Sequence, residues 1–351
     1  MISSRAELLR GAGFDLTYTA GLGTLALSTG WIVTTNPQLF PTVFVINVWV
    51  LGYHHVISTF TRLSVDDNSG QNRFLITKLP IIVMAGVLVL CLSFGAWILT
   101  TVYLYWQWWH YTRQSYGISR LYQRKADLDN DLLSKLVIYA LPTWGILHRS
   151  YQRPGTFLFA EVKVIPVPLW LVVAAGLVTI GVLGWWVAHT AHSWITGKLP
   201  VAHTVYLSVH LIVFGVGYLA IDNINHGWLV LNVWHNCQYI LTVWMFNQNR
   251  FKAGIDENHR YLSYLSQRNN LPLYLGVCLL ISTVIYSTLS YSLEWISLVT
   301  ATSLPLFAIV FQAINFHHYL VDAVIWKVRR NHVQQHLGSR LILVTRGQAI
   351  Q

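Results

Sequence analysis

PVPLWLVVAAGLVTIGVLGWWVAH, residues 166–189, decides the fold class. It carries no charged side chain, it is longer than the roughly 20 apolar residues needed to cross the hydrocarbon core of a bilayer, and it ends on a histidine. The reading is a transmembrane helix. Working outward, apolar runs of this kind recur from Leu16 to Trp326 with no polar block large enough for a separate soluble domain. The chain is 54% hydrophobic and 10% charged, with a mean hydropathy of +0.47, against about 25% charged residues in a soluble domain. These features predict an all-α, polytopic transmembrane helical bundle forming one integral membrane domain over residues 1–351.

Windows of about 20 residues place helices near 14–34, 40–63, 79–98, 100–123, 131–148, 166–189, 201–220, 225–247, 271–291 and 297–326. That is about 10 spans, with 8–10 as the range. Only Gly95 separates the third from the fourth, and Pro142 makes the fifth a candidate for a re-entrant segment. Lys and Arg favour ten. With both termini cytoplasmic, the inner loops hold Arg62, Arg73 and Lys78, then Arg120, Arg124, Lys125 and Lys135, then Arg250, Lys252, Arg260 and Arg268, and the tail adds Lys327, Arg329, Arg330, Arg340 and Arg346. Deleting either weak span puts several of these clusters outside, against the positive-inside rule. The loop 149–165 opposes this scheme, since it carries Arg149, Arg153 and Lys163 on the expected outer side. The first apolar run follows Arg5 and Arg10 without a small-residue cleavage site, so it is expected to stay as a helix. A bacterial inner membrane is the expected location.

The net charge of +10 is parcelled between spans rather than gathered on one stripe, so no nucleic-acid partner is expected; membrane lipids are. Cys91, Cys237 and Cys278 all lie in expected spans without CxxC spacing and read as small buried hydrophobes.

The functional signal is histidine. Of the 15 in the chain, His54, His55, His110, His189, His210, His235, His317 and His318 fall within or at the ends of apolar runs. An imidazole at that depth is costly unless it binds something, pairs or lines a wet cavity. Helix direction and rise put these residues, with His203, in one depth band from mid-membrane to the cytoplasmic side. A bundle core is where helical proteins build metal sites.

Each segment offers something specific. In LGYHHVISTFTR, His54 and His55 diverge by about 100° around the helix, so one is the better ligand, and Arg62 is placed to anchor an anionic group of a cofactor. WQWWHYTRQSYGISRLY sets His110 and Gln114 four apart on one face, where the amide can hold the imidazole, with Arg113 as a second cofactor-binding cation. WWVAHTAHSW carries His189 and His192 in an HxxH spacing. NVWHNCQYILTVW surrounds His235 with Asn236 and Gln238. NFHHYLVDAVIWKVRR places His318 and Asp322 four apart, so that Asp322 can join the coordination sphere or fix the imidazole tautomer; the competing reading pairs it with Lys327 or Arg329. Asp222, Asn223, Asn225 and His226 read as loop polarity, and His148, His259, His332 and His336 as solvated.

Imidazole suits iron, copper and zinc, and here intramembrane histidines far outnumber intramembrane carboxylates. Iron is the favoured cofactor, non-haem before haem or another transition metal. The expected function is a His-ligated, non-haem iron oxygenase or desaturase acting on a hydrophobic, lipid-like small molecule, with an electron donor as a further partner and Asp322 and Gln114 as catalytic residues. HYLVD, His318 to Asp322, is similar to the His-x-x-x-Asp element of Brp/Blh-type membrane carotenoid dioxygenases. That resemblance covers five residues and implies a multi-pass fold binding iron through several histidines. The alternatives are a haem-bearing electron-transfer or quinone-reacting protein and a metal-ion or proton-coupled transporter.

Overall fold

The computed structural model describes residues 7–63, 69–128, 131–327 and 334–338. Ten long helices dominate these residues: α1 (12–35), α2 (Pro37–Leu63), α3 (Gly70–Phe94), α4 (Trp97–Lys125), α5 (Leu132–Gln152), α6 (Leu169–Ile195), α7 (Val201–Ala220), α8 (Ile224–Arg250), α9 (Arg268–Thr300) and α10 (Leu306–Ile325). The only strands among the described residues, β1 (Thr156–Phe157) and β2 (Ala160–Glu161), form a small antiparallel hairpin between α5 and α6. Six helices (α2, α3, α6, α7, α9 and α10) are long and apolar enough to cross a membrane, the signature of an integral membrane protein. The other four sit at the positions expected for spans but fall below that measure of apolarity.

Local chemistry explains the boundaries. Gly95 adopts φ +90°, a left-handed conformation that ordinary side chains resist, and it ends α3 two residues before α4 begins. Asp131 caps α5, its carboxylate accepting from the amides of Leu133 and Ser134 and from the Ser134 hydroxyl. α5 then runs unbroken through Pro142 to Gln152, so it is a continuous helix rather than a re-entrant turn. Pro142 has no N–H for the carbonyl of Ile138; the His210 ring of α7 meets that carbonyl at 3.3 Å through Nε2.

The 149–165 discrepancy has a structural cause at Arg149. This residue belongs to α5 rather than to a loop and is 1% exposed. Its guanidinium donates to the carbonyls of Gly217, Ile221 and Asp222, the orphan acceptors at the C-terminal end of α7. It is a cap, so its position says nothing about which side of a membrane it faces. Lys163 lies over the Trp97 ring and near Glu161.

α8 forms the axis of the bundle. Every residue from 226 to 240 is buried, and α1, α2 and α7 pack around it. A Cβ on Gly227 would fall 2.1 Å from the Gly217 carbonyl, so only glycine permits α7 and α8 to approach this closely, the small-residue packing typical of membrane helices. α6 is peripheral by contrast. It rests on α5 through Gly176 against Trp144 and the Thr179 hydroxyl against the Ala140 carbonyl, and leaves Trp170, Leu177 and Trp194 exposed.

Candidate metal centre

Four imidazoles from four helices meet beside the axial helix: His55 of α2, His110 of α4, His235 of α8 and His318 of α10. Each is buried, and each offers a ring nitrogen within 4.8 Å of the other three. Ring centroids lie 4.4 Å apart for His55 and His318, 4.8 Å for His110 and His235, 5.2 Å for His110 and His318, and 5.3 Å for His55 and His235. Asp322 of α10 faces the same point, its Oδ2 3.3 Å from His318 Nε2 and 3.7 Å from His110 Nε2.

Local backbone aims these rings. A π-helical turn over Val48–Tyr53 precedes His54, and within it the Gly52 carbonyl accepts from His55 Nδ1 at 2.9 Å. That bond puts the proton on Nδ1 and leaves His55 Nε2 as a lone pair. On the other side, Tyr239 donates to Asp322 Oδ1 at 2.7 Å. The Tyr239 oxygen accepts from the Trp326 indole at 3.2 Å and lies 2.8 Å from the Thr59 hydroxyl, which is 3.2 Å from His318 Nδ1. His318 Nε2 lies 2.8 Å from His55 Nε2. With its Nδ1 donating to Gly52, His55 turns the Nε2 lone pair toward His318 and the Asp322 carboxyl, an arrangement that can receive a proton from His318 or a metal cation.

The remaining two rings carry the same signal. His110 Nε2 and both nitrogens of His235 are buried without a hydrogen-bond partner, so these three ring nitrogens are free to bind an ion or water. Tyr111 stacks on His235 at 4.1 Å and Tyr319 on His110 at 4.2 Å, fixing the ring planes. Gln114 donates to the His235 carbonyl at 2.9 Å; it ties α4 to α8 through backbone and does not hold the His110 imidazole as expected.

The other proposed ligands lie elsewhere, each for a visible reason. His54 points about one helical step away from His55, toward the Val50 carbonyl. His210 serves the carbonyl orphaned by Pro142. His317 does the same for α3: its Nε2 lies 2.7 Å from the Leu75 carbonyl, which a π-helical turn over Phe74–Lys78 leaves facing Pro80, a residue with no N–H. His189 and His192 are exposed on the peripheral α6. His203 pairs with the Ser119 hydroxyl at 2.9 Å.

The two arginines are also absent from the centre. Arg62 is buried, its guanidinium 3.9 Å from the Phe246 ring centroid and 5.6 Å from that of Trp326. Arg113 is exposed and donates to the Tyr139 hydroxyl. Asp322 pairs with imidazole rather than with Lys327; Arg329, the other partner considered for it, and His332 lie outside the described residues. Asn223 caps α8, the Asn225 side chain accepts from the Leu158 amide, and His226 packs on Phe40, so these residues are structural. His336 rests against Phe246 rather than in solvent.

Sequence reasoning missed Thr59, Tyr111, Tyr239, Tyr319 and Trp326. One signal was available: Tyr239 stands four residues after His235 and Thr59 four after His55, the spacing that shares a helical face. Comparison with family models, with curated proteins and with solved structures found no match to the chain.

Proposed function

We propose that His55, His110, His235 and His318 hold one transition-metal ion, and that the chain is a ten-span, non-haem iron membrane oxidoreductase of the oxygenase type acting on a hydrophobic substrate. The observation that carries this reading is the approach of four ring nitrogens from four helices to within 4.8 Å of one another. Metal–imidazole bonds of about 2.0–2.1 Å place opposite ligands about 4.2 Å apart, so a small inward movement brings the quartet onto a single ion. Neutral nitrogen donors with one carboxylate alongside suit iron. Bound there, iron supplies activation of dioxygen, with an electron donor as co-reactant. The protein's own part is to hold the His55 and His318 rings through Gly52 and Thr59, to exclude water with the Tyr111 and Tyr319 rings, and to keep the Asp322 carboxylate beside the ligands. The His318–Asp322 contact gives the resemblance of HYLVD to the Brp/Blh-type element a physical counterpart and supports the oxygenase class.

Ring packing disfavours haem. The four imidazoles pack against one another with centroids 4.8–5.3 Å apart for three of the pairs, which leaves little room for a porphyrin among them. The ten-span reading is supported by the composition of the four less apolar helices. α4 and α8, two of these four, carry Gln107, His110, Asn232, His235, Asn236 and Gln238, all buried, so these polar groups face protein and lower hydropathy without being offered to lipid.

Metal analysis of detergent-purified protein, with its absorption spectrum, tests the proposal. Near-stoichiometric iron and no Soret band are expected. Protein that is active but metal-free, or that carries haem, overturns it.

A further inference from the structure

The second chemically distinct feature is a cavity of about 1030 Å³ enclosed by α2, α3, α9, α10 and the short helix Arg260–Leu265. All four long helices belong to the six that are apolar enough to cross a membrane, while Tyr261, Leu262, Tyr264 and Leu265 of the short helix close one side. Its open side is apolar: Phe60, Ile76, Leu273 and Ile281 line it and are exposed. Among the described residues no Asp, Glu, Lys or Arg lines it, so its lining favours a neutral molecule over one with a phosphate or carboxylate headgroup.

A hydrogen-bonded polar pair marks one end of the cavity, with Tyr286 at the other. Thr61 and Tyr274 line the cavity and share a 2.8 Å hydrogen bond, backed by the buried Asn247 amide, which donates to Thr61. From Tyr274 the lining follows α9 to Ile285 and Tyr286, twelve helical steps of rise or about 18 Å. That is close to the depth of one leaflet of the hydrocarbon core, about 15 Å.

We infer that this cavity binds a neutral long-chain lipid, its hydroxyl or carbonyl oxygen against the half-buried Thr61 hydroxyl, which the buried Tyr274 positions from behind, and its hydrocarbon tail along α9. The inference rests on the proposed function in one respect, that this lipid belongs to the substrate class. The geometry linking the two sites is a shared wall: Val56 and His317 line the cavity while their chain neighbours His55 and His318 turn to the metal centre. A volume of this size exceeds that of most drug-sized pockets, and a groove walled by packed helices holds a lipid more firmly than an annular shell does.

The test is solvent extraction and mass spectrometry of lipids from the full chain purified in detergent, with metal content measured on the same sample. Wild type is expected to retain a neutral long-chain lipid in near-stoichiometric amount. Ile281→Trp, which fills the rim without touching the buried core, is expected to lower retention by about tenfold and leave metal content unchanged. Tyr274→Phe, which keeps the shape and removes one hydroxyl, is expected to lower it less. Retention of phospholipid only, in proportion to the micelle, or equal retention in Ile281→Trp, overturns the lipid site. Loss of metal with lipid retained overturns the proposed function and leaves the lipid site standing.

Discussion

His55 Nε2 and His318 Nε2 face each other at 2.8 Å, and each ring is anchored through its other nitrogen, His55 by the Gly52 carbonyl and His318 by the Thr59 hydroxyl. Side chains 263 residues apart in sequence are thereby prepared to share a ligand. Removing either should abolish the site rather than weaken it. His55→Ala, His110→Ala, His235→Ala and His318→Ala are each expected to bring purified protein well below stoichiometric metal, read by elemental analysis. Full metal retention in His110→Ala or His235→Ala would exclude that residue from the coordination sphere.

The supporting hydrogen bonds should have smaller and graded effects. Tyr239→Phe removes the partner of Asp322 Oδ1 and of the Thr59 hydroxyl together, so Asp322 and His318 are held less firmly. Second-layer substitutions of this kind weaken metal binding by about 10–100-fold. A competition titration with a chelator should place Tyr239→Phe and Asp322→Asn in that range while both variants still bind metal.

His210 and His317 give the opposite signature. Each serves a carbonyl that a proline leaves without a donor, so His210→Ala strands the Ile138 carbonyl in a buried setting. The expected cost is about 1–3 kcal/mol of stability, seen as a lower thermal midpoint, with metal content unchanged. The same substitution at the exposed His189 should alter neither quantity, since surface changes usually stay within about 0.5 kcal/mol.

Asp131 supplies a pH-dependent term outside the helices. Partial burial raises its carboxyl pKa, but the bonds from the Ser134 hydroxyl and from the Leu133 and Ser134 amides outweigh that and hold it below its ordinary value. A depressed carboxylate contributes stability that is complete above its unfolded-state pKa and disappears as pH falls through the lower folded-state value. Asp131→Ala should therefore cost about 1 kcal/mol at neutral pH, and its thermal midpoint should converge on that of wild type in acid.

Much of the architecture was legible before any coordinates. Long apolar runs located the ten helices, and Gly95 marked the one break that lacked any other signal. Position along each helix could be read from its rise, and four of the eight histidines singled out do meet. Facing could not be read, because it depends on how each helix is rotated by its neighbours. His54 and His55 show this most directly, since both lie at the same depth and only one turns inward. The histidines assigned to the wrong role had a cause written nearby in the chain: Pro142 and Pro80 each create an acceptor that some donor must satisfy. Arg149 was misread because a count of basic residues cannot distinguish a solvated guanidinium from one buried against three carbonyls. The HYLVD pair was legible because both members lie on one helix, four residues apart, and need no tertiary knowledge to meet.

The polarity of α8 has a consequence for biogenesis. A segment carrying Asn232, His235, Asn236 and Gln238 partitions poorly into lipid when it leaves the translocon alone. Its neighbour α7 is more apolar and is joined to it by a short turn, with the Gly217–Gly227 contact between them and the Arg149 cap at that turn. The two helices are thus built to pair as a hairpin, with Arg149 of α5 bound to the carbonyls at their turn. Because His318 lies on α10, the histidine quartet is complete only once the last of the ten long helices has packed.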